Sequence, residues 1–248
     1  MSQRSLIGKA PGYTYNMQFF GDISALRDNT TNPAGIVSAT TIVEQLTNQS
    51  RYSTNLIDLN TTNPELIEDG FAVGKSSINC IGDWIGVNNG LGLNSSDDFW
   101  VALTFKMTGT ATNRYLFSMG YSNTSAVNLD VSLGRDNGDL FIEFLSLSGV
   151  KKKYSTVGGA YKNVFFEAVM YWGGQNTPEN SKLYIDGSEV SLTATVDDDI
   201  SGIPPIDFNR TMLGRQASLV AWSFSGEFAQ KLMIKKGEPN LTLIADNL

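Results

Sequence analysis

The sequence predicts an all-β protein, a two-sheet antiparallel jelly-roll sandwich with an N-terminal extension. Short runs of alternating apolar and polar residues recur at intervals of about ten residues, as in sandwich folds. Gly, Asn and Asp separate these runs, which is typical of turns between strands. The stretch from Lys182 to Val190 adds a third observation, because Asp186-Gly187 supplies the positive φ angles of a tight hairpin turn.

The chain divides into two parts that differ in amino-acid composition and hydrophobic pattern. Residues 1–70 are rich in Asn, Thr and Ser and are interrupted by Pro11, Pro33 and Pro64, which predicts an extension without a core of its own. Residues 71–248 form the predicted sandwich. Its strands are expected within Ile78 to Val87, Phe99 to Phe105, Arg114 to Met119, Val127 to Leu133, Leu140 to Leu147, Val150 to Thr156, Val164 to Trp172, Ile206 to Leu213 and Phe224 to Ile234.

Two interpretations of residues 1–70 stay open. A leading strand and its loops could pack on the same sandwich, because the termini of such folds often pair with each other. Alternatively, the segment is an arm that docks on a partner, and its Tyr-rich stretch around Tyr13 and Tyr15 fits such a role. Edge strands of a sandwich can also pair between subunits, so we expect a homo-oligomer.

Composition excludes several classes of function. The 248 residues carry a formal charge of −7, which opposes binding to nucleic acid. The single cysteine, Cys80, cannot form an internal disulfide. Histidine is absent, so neither a Ser-His-Asp nor a Cys-His nucleophile nor a His-containing zinc site can be built. The first residues lack the apolar stretch of a secretory signal, and we expect no membrane insertion.

Four motifs in order resemble the laminin G-like modules of the concanavalin A-like lectin and glucanase superfamily. They are the Trp-containing run Asp98 to Lys106, the hairpin Tyr184 to Gly187, the strand end Leu213 to Arg215, and the run Phe224 to Phe228. The resemblance covers residues 71 to 237 and leaves the extension unexplained. All four are scaffold motifs, so the resemblance implies a fold rather than a site.

The resemblance also bears on catalysis and on calcium. The superfamily's glucanases share a Glu-x-Asp-x-x-Glu strand, and neither Glu143, Glu167 nor Glu227 stands in that spacing. Its lyases use a His, which this chain lacks, so we expect no enzymatic activity; a glycan-active enzyme is the least favoured function. Calcium often accompanies the family, and Asp197, Asp198 and Asp199 are the candidate ligands.

Sugar recognition predicts a further set of candidates. An aromatic ring can cover the apolar side of a sugar, while amides bind its hydroxyl groups, preferably on loops at the rim of a rigid sandwich. Trp172, Gln175 and Asn176 have this composition where a strand runs into a loop, and Trp222 is a second aromatic candidate. Alternatively, both tryptophans are core or subunit-contact residues.

These observations predict a non-enzymatic interaction module. We expect it to be a structural or decoration component of a larger assembly, a bacteriophage virion, that contacts other virion proteins through residues 1–70. The alternative is a carbohydrate-binding adhesin that recognises a surface glycan from an extracellular or cell-surface location. A module built into a particle could also bind glycan, so the two hypotheses are compatible.

Overall fold

The computed structural model of the protein describes residues 17–20, 26–27, 45–46, 56–58, 65–72, 75–80, 85–108, 114–122, 128–136, 138–157, 161, 163–217 and 225–245. These residues form eighteen strands, one short α-helix and one 3-10 turn at Pro178–Asn180. None of the helices in the described part of the chain is long and apolar enough to cross a membrane.

The elements follow one another as β strands almost throughout. The first nine strands are β1 (Met17–Phe20), β2 (Leu26–Arg27), β3 (Gln45–Leu46), β4 (Leu56–Asp58), β5 (Glu65–Ala72), β6 (Lys75–Asn79), β7 (Ile85–Val87), β8 (Phe99–Met107) and β9 (Arg114–Ser122). The others are β10 (Asn128–Asp136), β11 (Asp139–Leu145), β12 (Lys151–Ser155), β13 (Phe165–Trp172), β14 (Lys182–Ile185), β15 (Ser188–Val190), β16 (Thr193–Asp197), β17 (Arg210–Leu213) and β18 (Gly226–Lys236), followed by α1 (Leu241–Ala245).

Two antiparallel sheets confirm the predicted sandwich. The eight-stranded sheet has the order β15-β14-β13-β8-β18-β6-β5, and β1 also pairs with β18. The ten-stranded sheet has the order β16-β12-β11-β10-β9-β17-β7-β4-β3-β2. Neighbouring strands are antiparallel throughout the described pairings, as in jelly-roll folds.

The core lies between the inner faces of the two sheets. Alternate residues of β8, from Phe99 to Met107, point inward from the eight-stranded sheet, because successive side chains of a strand face opposite sides. Leu140, Ile142 and Phe144 of β11 meet them from the ten-stranded sheet. The residues between these positions form the two outer faces of the sandwich.

The predicted tight turn at Asp186-Gly187 is present, and a second tight turn joins β10 to β11. Ile185 pairs with Ser188 across Asp186 and Gly187, whose φ angles are +48° and +77°. Both angles are positive, as a type I′ hairpin requires. Asp136 pairs with Asp139 in the second hairpin, and Gly138 has a φ of +100°. These turns fix the registers of β14 with β15 and of β10 with β11.

Residues from the predicted extension supply strands to both sheets. β1 pairs with β18, and β4 pairs with β7. The predicted boundary after residue 70 falls inside β5, which pairs with β6. The described parts of the extension are therefore edge and neighbouring strands of the sandwich, and the docking role of residues 1–70 stays a prediction.

Candidate functional site

Trp172 lies in the core, which corrects the sequence prediction of a sugar contact. Its side chain is completely buried and stacks on Phe144, with ring centroids 5.8 Å apart. Its indole N–H donates a hydrogen bond to the carbonyl oxygen of Ser95 at 3.3 Å. Trp172 shares the inward face of β13 with Ala168 and Met170, so alternation along the strand sends the ring between the sheets.

Gln175 ties loops together and is only 2% exposed, so it too departs from its predicted role. Its Oε1 accepts a hydrogen bond from Ser95 Oγ at 2.8 Å, and its Nε2 donates to the carbonyl oxygens of Ile200 and Ile203. The amide N–H groups bind protein carbonyls and the amide oxygen already accepts one hydrogen bond, so the side chain is held by protein groups. Asn176 is exposed, and its role as a ligand contact stays a prediction. Trp222 lies outside the described residues.

The three consecutive aspartates, which the sequence suggests as metal ligands, have separate protein partners in the structure. Asp197 pairs with Lys152, Asp198 Oδ2 accepts from the backbone N–H of Lys151 at 2.9 Å, and Asp199 Oδ1 accepts from that of Ser201 at 2.9 Å. The hydrogen bonds from Ser201 lower the pKa of Asp199. Three exposed carboxylates with three separate partners do not converge on one ion, and no group of three suitable ligands occurs among the described residues.

The outer face of the ten-stranded sheet carries an unusual density of polar groups. Strand register places Ser118, Ser132, Glu143 and Lys153 in one line across β9 to β12. On either side of this line, the same register aligns Tyr115 with Phe141 and Asp130 with Lys151, each pair separated by one intervening position. We call this surface the polar face; its members are Tyr115, Ser118, Asp130, Ser132, Phe141, Glu143, Lys151 and Lys153.

Hydrogen bonds connect the carboxylates of the polar face to their neighbours. Glu143 Oε1 accepts from the Tyr115 hydroxyl at 3.0 Å, while Glu143 Oε2 lies 3.3 Å from Lys151 Nζ. Asp130 Oδ1 accepts from Ser132 Oγ at 2.6 Å and from Gln216 Nε2 at 3.2 Å. Burial, reinforced by the charge of Glu143, raises the pKa of Tyr115. The hydroxyl therefore stays protonated and donates to Glu143.

Residues 214–217 cover part of this face. Gly214 donates its backbone N–H to the Leu116 carbonyl oxygen at 2.8 Å, and the Arg215 carbonyl oxygen accepts from Ser118 Oγ at 3.2 Å. Gln216 lies against Asp130 and is buried, and no donor among the described residues reaches its Oε1. A buried acceptor without a donor is costly, so a hydrogen bond from water or from a ligand hydroxyl would stabilise this oxygen.

The polar face opens to solvent along β12. The Lys151 side chain is 37% exposed, and that of Lys153 is 14% exposed. Lys153 Nζ lies 4.2 Å above the centre of the Phe141 ring and 3.2 Å from Asp136 Oδ2. Lysine ammonium groups, carboxylate oxygens and an aromatic ring thus lie close together at the solvent-exposed edge of the polar face, which we call the border along β12.

The sequence carries a signal for this border in its run of three lysines, residues 151–153. Lys151-Lys152-Lys153 looks like a solvated strand end when it is read alone. The three lysines separate once alternation is applied, because Lys151 and Lys153 share one face and Lys152 lies on the other. Finding Glu143 opposite them required the pairing of β11 with β12.

Comparison with known proteins places the fold beside several binding domains. The sequence matches no family model and no curated protein. The botulinum neurotoxin serotype D ligand-binding domain in complex with N-acetylneuraminic acid is similar, with a TM-score of 0.56 and 14% identity over 93% of this chain and 49% of that chain. The serotype G binding domain gives a TM-score of 0.57 and 11% identity over 94% and 50%.

A carbohydrate-binding module, the CBM40 of the Ruminococcus gnavus IT-sialidase bound to α2,3-sialyllactose, gives a TM-score of 0.46 and 18% identity over 62% of this chain and 84% of that chain. The chain spans about half the length of the neurotoxin domains, 49% and 50% in the two cases. Identities this low establish a shared fold and no more. The protein therefore shares a two-sheet β-sandwich fold with these binding domains.

Proposed function

We propose that the protein is a non-catalytic carbohydrate-binding module whose ligand enters at the polar face. The observation that carries this proposal is the burial of carboxylate, hydroxyl and aromatic groups on a sheet surface that would otherwise face water. Burying polar groups is costly, and a ligand site is one reason for which proteins retain them. The shared fold with a domain that holds N-acetylneuraminic acid supports the same ligand class.

The border along β12 supplies the groups that a sugar needs. The ammonium groups of Lys151 and Lys153 can donate to ring hydroxyls or to an acidic sugar's carboxylate. Glu143 and Asp136 hold those ammonium groups in place and can themselves accept from hydroxyls. Movement of Lys153 would uncover the Phe141 ring for the apolar side of a sugar.

Binding fits this surface better than hydrolysis does. Both carboxylates of the polar face already have several protein partners, a lysine and a tyrosine for Glu143, and a serine and a glutamine for Asp130. The sequence provides no histidine and lacks the spacing of the related glucanases. An enzyme in this superfamily would need a carboxylate pair facing the scissile bond.

The test is a comparison of two changes on the same strand. We expect the double variant Lys151→Gln/Lys153→Gln to bind glycan about tenfold more weakly or worse, because a charge-assisted hydrogen bond contributes about 1.5–3 kcal/mol and 1.4 kcal/mol is tenfold. Lys152→Gln is the matched control, because Lys152 belongs to the same strand and lies on the opposite face. Calorimetry on folded variants gives both affinities, and equal effects of the two changes would refute the site.

A role in a phage particle stays a prediction that none of these comparisons supports. A glycan ligand favours an extracellular or cell-surface site of action over the interior of a particle. Contacts with other virion proteins through residues 1–70, and self-association, likewise stay predictions. Detection of the chain in purified particles would revive the assembly role without affecting the glycan proposal.

A further inference from the structure

One part of the outer face of the eight-stranded sheet carries three aromatic side chains. Register aligns Tyr171 with Trp100 across β13 and β8, and Tyr184 with Val169 across β14 and β13. Met233 of β18 continues the second row beside Ala102. These side chains form a cluster separate from the core between the sheets. We call Trp100, Tyr171 and Tyr184 the aromatic platform.

A short segment of this chain covers the platform. Residues 238–245 follow β18, and α1 within them places Ile244 and Leu241 against the aromatic cluster. The segment begins after Gly237, which has a φ of +93° and donates its N–H to the Asp98 carbonyl oxygen at 3.0 Å. We call residues 238–245 the strap.

The strap depends on the platform for its structure. Isolated helices shorter than about 12–15 residues are marginal in water, and α1 has five residues. Among its described side chains, Ile244 is the one fully buried apolar anchor, and Leu241 is half-buried. Segments held by so few apolar contacts open locally at much lower cost than strands of a core.

Polar groups surround the platform. The Tyr171 hydroxyl donates to Asp98 Oδ2 at 3.4 Å, and Glu189 lies opposite Tyr184 in the register of β14 with β15. Lys182 and Lys235 continue the row of Tyr171 and Trp100 at its two ends. Desolvation lowers the pKa of Lys235, as expected for an ammonium group beside an apolar surface.

We propose that Trp100, Tyr171 and Tyr184 form a second carbohydrate-binding surface, which the strap covers and a bound glycan uncovers. The choice of carbohydrate as the ligand class rests on the proposed function. The position of this second surface and the covering role of the strap are independent of that function. Aromatic rings bordered by ammonium and carboxylate groups match the apolar face and the hydroxyl rim of a sugar. A ligand that binds only the open form gains affinity when opening becomes easier.

The affinity test uses N-acetylneuraminic acid, lactose and cellobiose as probes, in the Lys151→Gln/Lys153→Gln background. Ile244→Asp places a charge in the apolar contact and releases the strap, so we expect about tenfold tighter binding of at least one probe. Val157→Asp is the matched control, since Val157 is 79% exposed and the same charge is harmless there. Tyr171→Ala should abolish the gain, and Tyr171→Phe should retain most of it.

Hydrogen exchange on the unmodified full-length chain provides a second readout. The amide of Ile244, which donates to the Asn240 carbonyl oxygen at 3.0 Å, should exchange faster when a binding probe is added, because the ligand displaces the strap. Slower exchange there would overturn the inference. Binding that disappears with Lys151→Gln/Lys153→Gln and is insensitive to Ile244→Asp would overturn it and leave the proposed function intact. Failure of every probe with every variant would overturn both.

Discussion

Trp172 shows how one residue can carry a misleading signal. A tryptophan that precedes Gly173-Gly174-Gln175-Asn176 resembles a ring presented at a rim. Both faces of β13 are apolar near its end, because Tyr171 lies under the strap while Trp172 lies in the core. Periodicity therefore showed that the two side chains point apart, and it could not show which of them faces inward.

The burial of Trp172 predicts a large loss of stability on truncation. Trp172→Ala removes the ring that stacks on Phe144, and such changes in a core typically lower the free energy of unfolding by about 3–5 kcal/mol. Urea denaturation measures this loss. Asn176→Ala is the control at an exposed neighbouring position and should change stability by less than about 0.5 kcal/mol. A stable Trp172→Ala protein that no longer bound glycan would restore the sequence prediction.

Among the elements, hairpins were the most predictable. Asp186-Gly187 encodes its turn locally, and Gly138 does so in the second hairpin, since few residues other than Gly, Asn and Asp adopt positive φ at low cost. The edge strand β16 was missed, because its last residue, Asp197, begins an acidic run that looks like a solvated turn. Its strand character comes from pairing with β12, a long-range contact that local sequence does not record.

The turn at Gly187 predicts a purely conformational penalty. A Cβ at Gly187 would meet nothing within 4 Å, but the φ of +77° disfavours any L side chain. Gly187→Ala should therefore lower the free energy of unfolding by about 1–2 kcal/mol in urea denaturation. Gly202 has equal space and no positive φ, so Gly202→Ala should leave stability unchanged or raise it slightly. Equal losses at both glycines would contradict this account of the hairpin.

At the scale of the whole molecule, the fold class followed from the sequence, and the site did not. Alternation and turn spacing predict two sheets, but the polar face exists only because β9, β10, β11 and β12 are neighbours. Its buried contacts join residues as distant as Asp130 and Gln216. The aromatic platform similarly needs β8 between β13 and β18, and these three neighbouring strands are far apart in the sequence.

The same scale explains why the first 70 residues were hard to interpret. Apart from β5, the strands that the structure describes there are short, and each depends on a partner from later in the chain or from a neighbouring short strand. A segment of this kind shows no sustained period, because its short strands are divided between two different sheets. Lack of an independent core is thus compatible with an integral part of the sandwich.

The central claim is that this sandwich binds carbohydrate, and a glycan array probed with the purified full-length protein tests it most directly. We expect reproducible binding to one structural class of glycan, with the signal lost for Lys151→Gln/Lys153→Gln and kept for Lys152→Gln. Thermal unfolding of each variant before the array establishes that all three proteins are folded. No binding by the folded, unmodified protein across acidic and neutral glycans would contradict the claim.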